Sequence, residues 1–477
     1  MTKRNDNLAL AAGALGLLGG YALGRMVAAA RTPAHDTLPQ ASLLDTVALA
    51  VDVLAPTFAK GVIIRRPGAV ALAEQWQLDT RAVQRLQKLR NKYGQGPLML
   101  PLPIRKQAVV LSPDHVYRVL NESPDPFSPA SSEKRAALSH FEPEGVLISQ
   151  GALRTERRQF NDAVLESNQA VHHMAERFLP VVDEEAARIL AAARTKGELD
   201  WDAFAQGWYR LARRVVFGDG ASDDQELNDM TVALRKAANW AFLHPKKKAT
   251  QARFFARIGH YLERAEPGSL AAVIARTPQS AATKPEQQVP QWLFAFDAAG
   301  MATFRALALL ATHPEQAQEA RAELRAKPGI ERKFLPFLRA TLLEAVRLWP
   351  TTPAILRQTT RDTEWEGGTM PARTGVLVFA PFFHRDDQRL AYAHRFTPAL
   401  WLHPRSDQEW PLVPFSAGPA VCPARHLVQM LSSALLAALV DGRELTLVSG
   451  QKMVPGRLPG TLNNYGLRFA LADEGPA

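Results

Sequence analysis

Pro414-Phe-Ser-Ala-Gly-Pro-Ala-Val-Cys422-Pro-Ala-Arg425 carries the only cysteine in a chain of 477 residues. Phe415 and Gly418 precede it in a loop punctuated by Gly418 and Pro419. His426 to Val440 then runs apolar and free of proline, the pattern of a long buried helix. A lone cysteine cannot close a disulfide within the chain, and no CxxC or Cys/His cluster points to zinc. A thiolate held by a tight loop just before a helix suits a metal centre with one protein ligand. The helix N-terminus, with its unpaired N–H groups, favours the thiolate over the thiol. The plainer reading, a buried structural cysteine, stays open until the rest of the chain is read.

Upstream of this loop, two segments carry unusual residues in apolar settings. Phe334–Trp349 reads as a helix ending at Pro350, with Glu344 and Arg347 among Leu338, Leu342, Leu343, Val346 and Leu348. Their i, i+3 spacing brings them together on one side. An exposed pair of this kind contributes little, but these neighbours predict burial, where a charge pair needs further hydrogen-bonding partners. Pro290 to Thr312 is apolar nearly all round, so it should run through the centre of the fold. Gly300 within it costs about 1 kcal/mol against alanine, which argues for close approach of something to the backbone. Thr303 can bond its own i−4 carbonyl or leave a groove between turns. A packing glycine and a back-bonded threonine are the bland alternatives.

The remaining chain is mostly helical. Periodicity marks helices through Leu43–Leu54 and Ala71–Tyr93, Leu98–Leu102 and Ala108–Leu111 read as short strands, and Pro113–Asn121 as a helix. Ser123 to Ile148 is rich in Pro, Ser and charge and reads as a long loop. From Gly151 to about Ala265 helix follows helix, opened by the basic turn Arg154-Thr-Glu-Arg157-Arg158 and including Glu184–Ala193, Trp201–Phe217 and Asp224–Phe242. Thr277–Val289 reads as a loop, Ile355–Gln358 and Gly375–Ala380 as strands, and the chain ends on a turn and a strand.

The formal charge of +10 admits nucleic acid, an anionic membrane surface or an acidic protein as partner. No zinc-finger, RNP or helix-turn-helix signature supports nucleic acid. The N-terminus stands apart. Leu8 to Gly24 is uncharged and apolar, and with Arg25 snorkelling and Met26 to Ala30 it approaches the length of a membrane span. Ala12, Gly16, Gly20, Gly24 and Ala28 form a small-residue stripe suited to packing in lipid. A secretory signal cleaved after Ala28-Ala29-Ala30, or a soluble Ala/Gly helix, are the rival readings. His244-Pro-Lys246-Lys247-Lys248 beside Trp240, Phe242 and Leu243 is either a solvated loop or a contact with a headgroup layer.

Glu344-Ala-Val-Arg347, Phe415-x-x-Gly418-x-x-x-Cys422 and Ala299-Gly300-x-x-Thr303, in their order along the chain, resemble the motifs of the cytochrome P-450 family. The resemblance spans roughly residues 85–470. It implies a mainly α fold with a small β region: a membrane anchor over 1–30, a linker and N-terminal helices over 31–84, and a thiolate-haem catalytic domain over 85–477. It implies haem b, with Cys422 as the axial thiolate and metal ligand. Phe415 and Gly418 would shape the haem loop, and Arg157 and Arg357 would pair with the propionates. Gly300 would let oxygen fit against the central helix, Thr303 would help deliver protons, and Glu344 with Arg347 would hold the layer beneath the haem.

The implied reaction is insertion of one oxygen atom from O2 into an apolar small molecule, with electrons from a ferredoxin- or flavoprotein-type donor. The implied location is a membrane anchored by the N-terminal helix, the haem domain cytoplasmic; export after signal cleavage is the alternative. The chain departs from the family at several positions. Ala302 stands where an acid is usual, Ala420 replaces an arginine before the cysteine, Ala424 a glycine after it, and Leu153 a tryptophan. Leu400 stands where an arginine completes the Glu344/Arg347 set, with His403 or Arg405 as replacements. The missing acid keeps a peroxide-using or isomerising enzyme in view, and a haem sensor or electron carrier is the non-catalytic alternative.

Overall fold

A computed structural model describes residues 38–102 and 105–473, and the span read over residues 1–30 lies outside them. The described chain opens with α1 (Leu43–Leu49), which runs through a π turn at Ala50–Leu54 into α2 (Ala55–Lys60). The helix expected over Ala71–Tyr93 is two helices, α3 (Pro67–Gln75) and α4 (Leu78–Tyr93). Gln77 breaks them apart by adopting a left-handed backbone, φ 48°. Strands β1 (Leu98–Leu100) and β2 (Gln107–Val109) follow. Then comes α5 (Pro113–Asn121), which starts on a proline whose missing N–H the first turn does not need.

Ser123–Ile148 is not the loop its composition suggests. It holds β3 (Phe127–Ser128), α6 (Ser132–Leu138) and a 3-10 turn at Val146–Ile148. The Ser131 side chain accepts the Lys134 N–H and starts α6, which buries Ala137 and Leu138. Next are α7 (Gly151–Val164), α8 (Ala175–Lys196), β4 (Leu199–Asp200), α9 (Trp201–Phe217), α10 (Gln225–Ala238), α11 (Lys248–Arg264) and α12 (Leu270–Ile274). The helix read from Glu184 begins nine residues earlier and carries Pro180 inside it.

Helix α13 (Pro285–Thr312) is the axis of the molecule, and its first turns take up part of the loop expected over Thr277–Val289. Among the described residues it is the one helix long and apolar enough to cross a membrane, yet most of it is buried inside the protein. Behind it lie α14 (Pro314–Ala326), α15 (Pro336–Leu348), α16 (Ala380–His384) and α17 (Arg425–Val440). Helices α9, α15 and α17 all pack on α13. One apolar core gathers these helices, with Trp208, Phe304 and Leu436 fully buried in it.

The second core lies on the main sheet and includes Leu86, Val109, Val376 and Phe382. The later strands are β5 (Ala354–Thr359), β6 (Thr363–Trp365), β7 (Gly368–Met370), β8 (Gly375–Phe379), β9 (Arg443–Leu447) and β10 (Arg468–Asp473). The main sheet runs β1-β2-β8-β5-β3, and its one parallel pair is β2 with β8. Central β8 is Gly-Val-Leu-Val-Phe and buried throughout, as a strand covered on both faces must be. Strand β5 alternates, so Ile355, Arg357 and Thr359 share its buried side. A small sheet β4-β10-β9 and the hairpin β6-β7 complete the set.

Candidate functional site

The cysteine loop is pinned from several sides. Cys422 N–H donates to Phe415 O at 3.0 Å, and Val421 N–H to Gly418 O at 2.9 Å. From α7, the Arg158 guanidinium donates to Val421 O at 2.7 Å, and Ser167 Oγ donates to Pro423 O at 2.9 Å. Gly418 has φ +64°, and a Cβ there would sit 2.2 Å from Leu120 O, so the turn is open to glycine alone. Phe415 packs on the helical core. Cys422 itself is only partly covered. Its thiol is nevertheless desolvated: burial pushes its pKa up, against the Ala424 N–H and the charges of Arg158 and Arg425. The helix terminus therefore does not lower this thiol's pKa overall. A partly covered sulfur keeps one side accessible, and a cationic metal there would deprotonate it.

Arg357, brought inward by the alternation of β5, reaches the same loop. Its Nη2 donates to Ser416 Oγ at 3.2 Å and its Nε to Ser123 Oγ at 2.9 Å. Burial and then the charge of Arg154 lower its pKa to about 10. Arg154, on α7, is also buried and lowered to about 10, and donates to Val146 O at 3.0 Å. Lys134 of α6 joins them, its pKa pushed well down by desolvation and then by Arg357 and Arg154. Among the described residues no carboxylate lies within ion-pair distance of these three cations. Two buried arginines and a half-buried lysine that repel one another call for an anionic partner. The two carboxylates of a haem, with Cys422 as the thiolate, fit that donor set.

Arg157 does not belong to it. Its guanidinium is held by Glu144 at 2.7 Å, Ser149 Oγ at 2.8 Å and the Ala282 carbonyl at 3.0 Å. Arg154, one turn earlier on α7, is the arginine that stands near Arg357. Lys134 escaped the sequence reading because the stretch around it looked like loop.

On α13, Thr303 is fully buried and its Oγ1 donates to Ala299 O at 2.8 Å. The close approach inferred at Gly300 is real, but it comes from a neighbouring helix. A Cβ there would lie 2.6 Å from Cδ1 and Nε1 of Trp208 on α9. The Trp208 Nε1 donates to Phe296 O at 2.6 Å, which locks the indole in place. The space expected for oxygen at Gly300 is taken by this indole. Ala302 is buried against Leu342 and Val346 of α15, so its position faces an apolar helix.

Glu344 and Arg347 are wholly buried and paired through both oxygens, at 2.6 and 2.7 Å. Arg347 also donates to the carbonyls of His384, Ala393 and Arg395. Glu344 accepts from Thr397 N–H and from Trp401 Nε1, each at 2.8 Å. The third partner is therefore Trp401. Neither His403 nor Arg405 fills that role: Arg405 donates to Trp410 O at 3.0 Å.

The model of the family described as Cytochrome P450 matches residues 291–458, a stretch holding Gly300, Thr303, Glu344, Arg347 and Cys422. Over that stretch the chain is similar to the cytochrome P450 family. A methyltetrahydroprotoberberine 14-monooxygenase of Papaver somniferum is 33% identical over 164 residues, covering 31% of either chain. A cyclooctat-9-en-7-ol 5-monooxygenase of Streptomyces melanosporofaciens is 29% identical over 143 residues, covering 28% of this chain and 31% of that protein. The aligned stretch thus spans about a third of these relatives. The crystal structure of a cytochrome P450 named CYP102L1 superposes with a TM-score of 0.69 over 93% of this chain and all of that one, at 19% identity. The helical P450 fold therefore extends well beyond the part where sequence similarity is detectable.

Proposed function

We propose that this protein is a haem-thiolate monooxygenase that inserts one oxygen atom into an apolar organic substrate. The observation that carries the reading is the combination of a lone, partly covered Cys422 with the unbalanced cations Lys134, Arg154 and Arg357. Monooxygenase-named relatives support it at the level of reaction class. Residues 85–477 are the catalytic domain, haem b is the cofactor, and a ferredoxin- or flavoprotein-type donor supplies electrons. Bound haem supplies the redox chemistry of oxygen activation.

The chain's own residues do the rest. Cys422 Sγ would ligate the metal, Arg154, Arg357 and Lys134 would neutralise the carboxylates, and the apolar run of α13 excludes water. Thr303 Oγ1 donates to Ala299 O and keeps its lone pairs free to accept a hydrogen bond from water. Glu344, Arg347 and Trp401 fix the layer that carries the cysteine loop. Cys422→Ser should abolish the thiolate-type Soret shift of the reduced carbon monoxide complex. An unchanged spectrum in that variant removes the reading.

The burial of Ala302 against Leu342 and Val346 favours one second reading, use of peroxide in place of oxygen and reductant, because no acid flanks Thr303. Turnover with peroxide but none with reductant would select it. For location, we propose a membrane anchor over residues 1–30. Deleting them should move the protein to the soluble fraction with its haem spectrum intact, whereas mature wild-type chains beginning near Arg31 would indicate a cleaved signal.

A further inference from the structure

A cavity of about 50 Å³ lies between α4, the end of α15, the turn after α16 and the Gly460–Asn464 segment. None of Cys422, Thr303, Arg154 or Arg357 lines it. Its charged lining is Lys60, Arg65, Arg305 and Arg385 against Asp79 and Asp387, with His394 beside them. Both carboxylates already have partners. Asp79 accepts from Lys60 Nζ at 2.5 Å and Thr461 Oγ1 at 2.9 Å, and Asp387 accepts from Gln87 Nε2 at 2.7 Å. His394 Nε2 lies 3.4 Å from Asp387 Oδ2, and burial followed by the Arg385 charge lowers its pKa.

The three guanidiniums have no carboxylate within hydrogen-bond reach among the described residues. Arg65 donates to the carbonyls of Gly61 and Thr351. Arg305 donates to Trp349 O and Leu462 O, both at 3.0 Å, and to Asn464 Oδ1 at 3.2 Å. Arg385 donates to the carbonyls of Leu348, Pro459 and Leu458 and to His394 Nδ1. Burial lowers Arg305 to about 10, with Arg65 as the next cause, and lowers Arg385 to about 9, with Arg347 next.

The polar atoms left over at this cavity are all donors. Arg305, Arg385 and Asn464 are at least nine-tenths buried, and Arg305 Nε, Arg385 Nε and Asn464 Nδ2 have no hydrogen-bond partner. Because Asn464 Oδ1 accepts from Arg305, its amide orientation is set and the Nδ2 is a true spare donor. Buried donors without acceptors are destabilising, and an excess of positive charge in a closed space is more so. A ligand that cures both is an acceptor-only anion, and the volume limits it to a few heavy atoms. We infer that this cavity is a binding site for a small carboxylate anion, clamped by Arg305, Arg385 and Asn464 and separate from the Cys422 site.

The test uses the haem-loaded full chain, with sodium acetate titrated against sodium chloride at constant ionic strength. Acetate should raise the thermal midpoint by about 2 °C or more, in excess of chloride. The Asn464→Asp variant places a fixed carboxylate beside Arg305 with almost no change of shape. It should melt higher than wild type and lose the acetate effect, while its Soret spectrum stays unchanged. Equal responses to acetate and chloride, or an Asn464→Asp variant that melts lower and still responds to acetate, would overturn the assignment. A cavity holding only water gives no acetate response and no gain in the variant, which also overturns it. Line broadening of carbon-13 acetate by wild-type protein checks binding without any variant, and its absence would count against the site.

Discussion

At Gly300 a single methyl group decides whether two helices can touch. Alanine would put a Cβ 2.6 Å from the Trp208 indole, whose Nε1 is committed to Phe296 O. Overpacking of this kind is destabilising by about 1–3 kcal/mol. Gly300→Ala should lower the denaturation midpoint accordingly while leaving the haem spectrum intact; an unchanged midpoint would mean that α9 and α13 adjust freely. The need for glycine could be read from the chain, because a costly residue in a helix interior implies a neighbour. The neighbour could not, since Trp208 is 92 positions away and nothing local says which side of α13 it occupies. Arg154 and Arg157 show the same limit. Both belong to one basic turn of α7, and only the positions of Glu144, Ser149 and Arg357 decide which is paired and which stands beside another cation.

Elements join through the buried pair on α15. Its charge-assisted bonds tie that helix to the carbonyls of His384, Ala393 and Arg395 and to the segment around Trp401. Trp401→Phe keeps most of the packing but strips one donor from the buried Glu344 carboxylate. Removing a hydrogen bond to a charged group costs about 1.5–3 kcal/mol. A chemical-denaturation curve should show that loss, and a neutral result would mean that water or another donor takes over. The i, i+3 spacing within α15 exposed Glu344 and Arg347 to sequence reading. Trp401 was overlooked because a cation was expected there, whereas a carboxylate is satisfied by any well-placed N–H. Two elements were misjudged for a related reason. Around α6 and the first turns of α13 the local composition is polar, and helix formation there depends on a capping serine and on tertiary packing.

For the whole molecule, His384 makes stability depend on pH. The ring is completely buried and its Nε2 accepts the Val413 N–H at 2.9 Å, a bond that a protonated ring cannot make. Burial, followed by the Arg347 charge, lowers its pKa from 6.5 to about 3. The folded value lies below the unfolded one, so the unfolded chain binds the proton first as pH drops. The contribution is fully present above pH 6.5 and declines as pH falls from there towards 3, by at most about 1.4 kcal/mol per pH unit. His384→Gln should be less stable at pH 7 and should show a shallower decline in denaturation midpoint between pH 6.5 and 4. Parallel curves for the two proteins would show that another group controls the acid response.

Local chemistry was enough to mark the cysteine loop, the central helix and the buried ion pair. Each depends on residues within one turn or one tight loop, where spacing and backbone geometry act directly: Cys422 after Gly418, Thr303 after Ala299, Arg347 after Glu344. What brought Lys134, Arg154 and Arg357 together, set Trp208 against Gly300 and enclosed Arg305 with Arg385 is contact between segments tens to hundreds of residues apart. Such contacts form only when the two cores close around α13, because burial is what turns solvated arginines into mutually repelling charges that require an anion.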